Sequence, residues 1–347
     1  MTRRRTIFVL ALATLVAYPA FGDSCGGIKT SLAIVFRDLT RDQLDEAERA
    51  LAPIEASYPD CPQTLIARAR VEAAKGEAVR AEDLFVRYTN LEPDDASGYA
   101  YYAAFLIGQR EYQRADSMSA VAMEKNSNDP AALAVRGHIL DMKGESQEGV
   151  TLLQRACDLD PENGEAHFQL GVIYKRDKRP GDAVKHFEKA TVINSADPRG
   201  WDYFALSLEA LGEVEKTEKA YAKALDVNKP GPHFDAFLDY NYGRFLVKQN
   251  QLAEAKKRLD RAVELVPQVR AAWYERAKLN MRMRNYQEAR SDGERAAAIA
   301  DRAGIIIDLQ IYVLLEQVYR RLGETELAQK YAQLARETHV PIRGDHR

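Results

Sequence analysis

The sequence predicts an all-α protein, a solenoid of stacked helix-turn-helix units, and three observations carry that class. The first is a period of thirty-four residues. The stretch "GEAHFQLGVIYKRDKRPGDAVKHFEKATVI" from Gly164 overlies "RGWDYFALSLEALGEVEKTEKAYAKALDV" one period later, with His167 over Trp201, Leu170 over Phe204, Gly171 over Ala205, Phe187 over Tyr221 and Ala190 over Ala224. The second is a recurring set of small residues inside each unit. The third is a Gly or Asn that interrupts the apolar periodicity near the middle of most units.

Before the array, residues 1–22 have the order of a secretory leader. Arg3, Arg4 and Arg5 precede an apolar run from Ile7 to Ala17, then Pro19 and Ala20-Phe21-Gly22. That order predicts a signal peptide cleaved after Gly22. The run is short for a membrane span, and Gly22 stands where a lipoprotein site carries an aliphatic residue ahead of its cysteine. The expectation is a soluble exported protein, periplasmic or secreted, and not an integral membrane protein.

Residues 23–61 read as a capping helix pair. "IKTSLAIVFRDL" is a short first helix, and "TRDQLDEAERALAPIEASYP" has Ala47, Leu51 and Ile54 in second-helix register. Terminal repeats are atypical because one face has no neighbour. Cys25 precedes the first helix and Cys61 follows the second, points that an antiparallel pair brings together. A Cys25 to Cys61 disulfide is therefore expected, which export permits. It closes a loop of about 36 residues and stabilises the cap by about 3 to 4 kcal/mol in the loop-entropy account. Cys157, the third cysteine, follows Ala156 on a second helix and reads as a buried small hydrophobe.

Residues 62–342 read as eight units, starting near Pro62, Ala96, Pro130, Gly164, Pro198, Ala236, Arg270 and Leu309, with 343–347 as a tail. Each has two amphipathic segments of i, i+3, i+4, i+7 spacing, too long for strands. Position 8 of the units is Ala69, Ala103, Gly137, Gly171, Ala205, Gly243, Ala277 and Glu316. Position 20 is Ala81, Ala115, Gly149, Ala183, Thr217, Ala255, Ala289 and Ala328, and position 27 is Tyr88, Ala122, Ala156, Ala190, Ala224, Ala262, Ala296 and Ala335. Helices joined by a tight turn approach closely only where facing residues lack bulk, so these are expected helix contacts. Gly76, Gly144, Gly212, Asn250 and Gly323 sit where a left-handed cap ends the first helix.

This pattern resembles the tetratricopeptide repeat: Leu170, Gly171, Tyr174, Ala183, Phe187 and Ala190 match its positions 7, 8, 11, 20, 24 and 27, with a departure at Ser195. The resemblance implies a right-handed superhelix whose first helices line a concave groove, with positions 2, 5, 9 and 12 contacting an extended ligand. It names no partner, because the motif consists of packing residues.

Chemistry is sparse. The sequence has no phosphate-binding glycine loop, helical zinc motif, paired CxxC or nucleophile elbow, and His138, His167, His186, His233, His339 and His346 are scattered. No enzyme activity, metal or cofactor is expected. Nucleic acid is disfavoured by expected export and the formal charge of −3. The groove positions suggest a protein or peptide partner instead. Positions 5 and 9 are small and apolar in the early units, as at Ala100 and Ala104, while Phe168 marks the middle. The later units pair Tyr240 with Arg244 and Tyr274 with Lys278, and Gln317 follows. Residues 23–235 hold 26 Lys and Arg against 37 Asp and Glu, a net −11; residues 236–347 hold 20 against 15, a net +5. That asymmetry suits a carboxylate-bearing partner. The competing readings are that the tyrosines merely pack, and that the protein is an accessory subunit of an envelope machine for pilus assembly, polysaccharide export or outer-membrane assembly.

Overall fold

A computed structural model describes residue 25 and residues 28–40, 43–59, 61–230, 234–300 and 306–339. The expected leader at 1–22, the tail at 343–347, His233 and His346 lie outside the described residues. Among the described residues there are eighteen helices and no strand. The first pair is α1 (Lys29–Thr40) and α2 (Leu44–Ser57). Then come α3 (Pro62–Lys75) with α4 (Ala78–Leu91), α5 (Ala96–Gly108) with α6 (Tyr112–Lys125), α7 (Pro130–Met142) with α8 (Ser146–Leu159), and α9 (Gly164–Arg176) with α10 (Pro180–Ile193). The remaining pairs are α11 (Pro198–Ala210) with α12 (Val214–Val227), α13 (Leu238–Lys248) with α14 (Leu252–Leu265), α15 (Arg270–Arg282) with α16 (Tyr286–Ala298), and α17 (Asp308–Leu322) with α18 (Thr325–His339). The chain forms two compact units, Met1–Asp235 with α1 to α12 and Ala236–Arg347 with α13 to α18.

Short polar caps start the first helices of the N-terminal unit. Asp95, Asp129, Asn163 and Asp197 accept from backbone N–H groups in the first turns of α5, α7, α9 and α11, which satisfies donors that helix geometry leaves open. Two of these caps also bind the neighbouring repeat: Ser97 Oγ donates to Asp129 at 2.6 Å, and Asn163 Nδ2 to the Pro130 carbonyl at 3.4 Å. At the start of α3 the cap position is Cys61, bonded to Cys25 with the two Cα atoms 6.2 Å apart.

Position 15 of the eight repeats from α3 to α18 is left-handed. Glycine or asparagine serves at Gly76, Gly144, Gly212, Gly323 and Asn250, but Arg110, Lys178 and Arg284 adopt the same conformation with φ of 63°, 57° and 63°. The turn geometry is imposed by helix packing strongly enough to hold a side chain there.

The small residues lie between paired helices. A Cβ on Gly171 would come within 2.7 Å of the Phe187 ring. In α7 and α8 the approach is tighter, since a Cβ on Gly137 would meet the Gly149 carbonyl oxygen at 2.8 Å and the reverse contact is 2.7 Å. Tyr88 occupies a position that is Ala elsewhere, and Gly98 makes the room: a Cβ there would stand 2.3 Å from the Tyr88 ring. Position 4 adds a further joint. The ring N–H groups of Trp201 and Trp273 donate to the carbonyls of Ser195 and Pro267, both at 2.9 Å, and His167 Nε2 stands 3.2 Å from the Pro161 carbonyl.

Candidate functional site

In the C-terminal unit, α13 presents Tyr240 and Arg244 one turn apart and α15 presents Tyr274 and Lys278 likewise. Both tyrosines are half-buried and pack against the core around Ala271, Ile311 and Leu315. Burial pushes both hydroxyls up, with Arg244 opposing and Glu275 reinforcing the shift at Tyr240. Tyr240, Arg244, Glu275 and Tyr274 thus share one electrostatic neighbourhood. Lys278 Nζ lies 5.3 Å from the Tyr274 ring centre, a cation–π distance.

One feature of this surface differs from the expectation. Lys278 is also paired within its own helix, with Nζ 2.9 and 3.1 Å from the two oxygens of buried Glu275. Its charge is therefore largely compensated before any partner arrives. Gln317 is exposed on α17, whereas Phe168 lies on α9 of the other unit. There Phe168 packs edge-on against Phe187 and Tyr203, with the Arg199 guanidinium 5.7 Å above its ring.

Nor is pairing of aromatics with cations confined to the later repeats. Arg70 lies between the Phe36 and Tyr101 rings at 4.4 and 4.5 Å, and Lys175 stands 5.1 Å over Tyr203. Ala100 and Ala104, expected to line an apolar groove, are fully packed. Close approach of successive first helices consumes the small side chains at positions 5 and 9.

His138, Cys157, Glu165, His167 and His186 of the N-terminal unit are buried or half-buried. If His167 Nε2 carries the proton donated to Pro161, its Nδ1 is a lone pair facing His186 Nδ1 at 3.0 Å, so His186 donates. Protonating both rings would oppose two N–H groups, and His186 is pushed down to about 4 by burial and by His167. Cys157 Sγ is 3.6 Å from His167 Nδ1, and burial, with Asp158 reinforcing, pushes its half-buried thiol up to about 12, the opposite of an activated nucleophile. The sequence did not single out Glu165, a charged residue on an otherwise ordinary helix face. Its carboxyl accepts from Gln169 Nε2 at 2.7 Å and lies 4.0 Å from His138. Burial pushes Glu165 up to about 7 and His138 down to about 4. Among the described residues no group of three His, Cys, Asp or Glu side chains is placed to hold a metal ion, and no helix is long and apolar enough to cross a membrane.

Comparison with known proteins agrees with this architecture. Residues 240–304 match the tetratricopeptide repeat family model, and residues 150–261 match that of the Est1 DNA/RNA binding domain. A DnaJ homolog subfamily C member 7 homolog of Dictyostelium discoideum is 23% identical over 253 residues, 68% of this chain and 42% of that protein. The type IV pilus assembly protein PilF of Pseudomonas aeruginosa is 23% identical over 149 residues, 43% of this chain and 58% of PilF. Among solved structures, the anaphase-promoting complex hetero-tetramer Cut9-Hcn1 superposes with a TM-score of 0.72 at 12% identity, covering 86% of this chain and 57% of that chain. That likeness shows the fold, a solenoid of tetratricopeptide helix pairs. The chain spans 42% and 58% of the lengths of the two relatives named.

Proposed function

We propose that this solenoid is a non-catalytic scaffold that holds a segment of a protein partner on its first-helix face, in a periplasmic or secreted setting. The observation that carries the reading is the clustering of Tyr240, Arg244, Tyr274 and Lys278 on adjacent first helices. Half-buried tyrosines supply rigid contact area at low entropic cost, and a guanidinium can pair bidentately with a carboxylate. In this reading Arg244 and Lys278 are both anion contacts, with Lys278 also held by Glu275 and stacked over Tyr274.

Export is supported by the leader-like order of residues 1–22 and by the Cys25–Cys61 bond, since such bonds persist in oxidising compartments. A second reading, an accessory role in an envelope assembly, is favoured by the similarity to PilF. A protein partner is preferred to nucleic acid because the chain is net acidic. The test is the double change Arg244→Glu and Lys278→Glu, followed by co-purification from an envelope extract. Recovery of the partner should fall at least several-fold, with helicity and melting nearly unchanged and the loss shrinking at high salt. Unchanged recovery with a folded variant would remove this surface from the proposal.

A further inference from the structure

We propose that the cleft between α5, α6 and α7 receives two neighbouring apolar side chains of a partner polypeptide, with a carboxylate beside them placed against Lys143. The cleft has a volume of about 450 Å³ and is lined by Ile107, Tyr112, Ala115, Ile139, Met142 and Lys143, with Asp116 at its rim. That volume is in the usual range for ligand sites, roughly 300 to 1,000 Å³. It lies on the edge of the N-terminal unit where the turns within repeats emerge, not on the first-helix face, and it does not depend on the C-terminal surface proposed above.

The argument comes from what fills the same joint one repeat later. Between α7, α8 and α9, Arg176 reaches across the joint to Asp141, at 2.9 and 2.6 Å, and to Ser146 at 3.0 Å. In the C-terminal unit Arg282 does the same from α15, donating to the Val247 carbonyl at 2.6 Å and to Asn250 at 2.9 Å. Thirty-four residues before Arg176, Asp141 and Ser146 stand Met142, Ile107 and Tyr112. The bridging cation, its anion and its hydroxyl are all replaced by apolar or aromatic side chains, so the contact that Arg176 makes has no counterpart here, and Asp116 supplies a polar tie between α6 and α7 instead. Tyr112 and Met142 are left 49% and 45% exposed, and methionine is a side chain suited to adaptable binding surfaces.

Charge selects the occupant. Asp116 is paired with both Arg136, at 2.5 Å, and Lys143, at 3.0 Å, so one carboxylate is shared between two cations and neutralises neither alone. Lys143 is 43% exposed at its side chain and can turn to a second carboxylate. Apolar groups next to a carboxylate are what the end of a polypeptide chain, or an acidic residue following two apolar ones, presents.

The test uses the full chain with acetyl-Leu-Phe as the free acid, the same dipeptide as its amide, and decanoate. Methyl NMR shifts should be confined to Ile107, Ile139 and Met142. The acid should bind about three-fold more tightly than the amide, the scale expected for an exposed ion pair. Met142→Arg, which places a guanidinium in the apolar cleft without the Asp and Ser that hold Arg176, should weaken the amide at least ten-fold. Lys143→Ala, an exposed position, should bring acid and amide to equal affinity even if the arginine variant does not fold. Shifts absent up to the solubility limit of the dipeptides would overturn the proposal, as would acid and amide of equal affinity in the wild-type chain. Decanoate binding without dipeptide binding would assign the cleft to a lipid and overturn it too.

Discussion

The two units start their first helices with different chemistry. In the N-terminal unit short acidic or amide side chains, Asp95, Asp129, Asn163 and Asp197, cap first helices from within the loops. In the C-terminal unit α13, α15 and α17 have Phe237, Val269 and Ile307 at the cap position and none accepts through a side-chain oxygen. Arginine pairs occur in both units: Arg258 meets Asp239 and Glu254 within one repeat, Arg276 meets Asp260 and Asp292, and Arg270 donates to the Ala296 and Ile306 carbonyls and pairs with Asp308, while Arg68 meets Glu55 and Arg176 meets Asp141 in the N-terminal unit. The charge difference between the units, −11 against +5 over residues 23–235 and 236–347, is in part a record of the acidic caps. It therefore says less about a partner than the raw count suggests.

The largest effect that follows is at Arg270, whose guanidinium is buried and binds the end of α16 and the start of α17 at once. Arg270→Ala leaves those carbonyls without a donor and should cost about 3 kcal/mol, the scale of breaking a buried charged hydrogen-bond set. Amide hydrogen exchange should rise in α16 and α17 and stay unchanged in α5 to α10. Uniform loss of protection in both units would mean that the joint is not local to Arg270.

The matching change in the other unit is Asp129→Ala. Asp129 accepts from the Ala132 N–H at 2.8 Å and from Ser97 Oγ at 2.6 Å, and both contacts are buried. Removing it should cost about 2 kcal/mol, combining a lost helix cap with a stranded hydroxyl. Asp129→Asn should recover more than half of that, because an amide oxygen still caps. An asparagine variant no better than alanine would show that the charge, not the cap, matters.

These contrasts also show what a sequence exposes and what it hides. Helix pairing was readable because Gly137, Gly149 and Gly171 stand where a Cβ would strike a carbonyl or a ring, a constraint that acts at one position and recurs every thirty-four residues. The Tyr88 slot was harder, since Gly98, ten residues later, supplies the compensating space. The Arg270 joint was hidden because the same letter stands buried at Arg270 and exposed at Arg284 within one repeat. The candidate surface was legible only as a list of residue types. The pairing of Lys278 with Glu275, and the aromatic–cation contacts at Arg70 and Lys175, depend on rotamers and neighbouring helices that repeat position does not specify.

One feature is common to both units, and it yields the smallest expected effect. Arg284, between α15 and α16, and Lys178, between α9 and α10, hold φ of 63° and 57° at the turn position that Gly144 and Gly212 fill at 87° and 77°. Both side chains are exposed. A Cβ in this conformation costs about 1 to 2 kcal/mol, while glycine gives back about 0.5 to 1 kcal/mol through the greater freedom of the unfolded chain. Arg284→Gly and Lys178→Gly should each therefore stabilise by about 0.5 to 1 kcal/mol, read as a higher denaturation midpoint with unchanged slope. Arg284→Ala keeps the Cβ and should give no gain. If alanine stabilises as much as glycine, the left-handed turn carries no strain and the gain comes from removing the arginine. If only one of the two glycine variants gains, the units differ in their turns as well as in their caps.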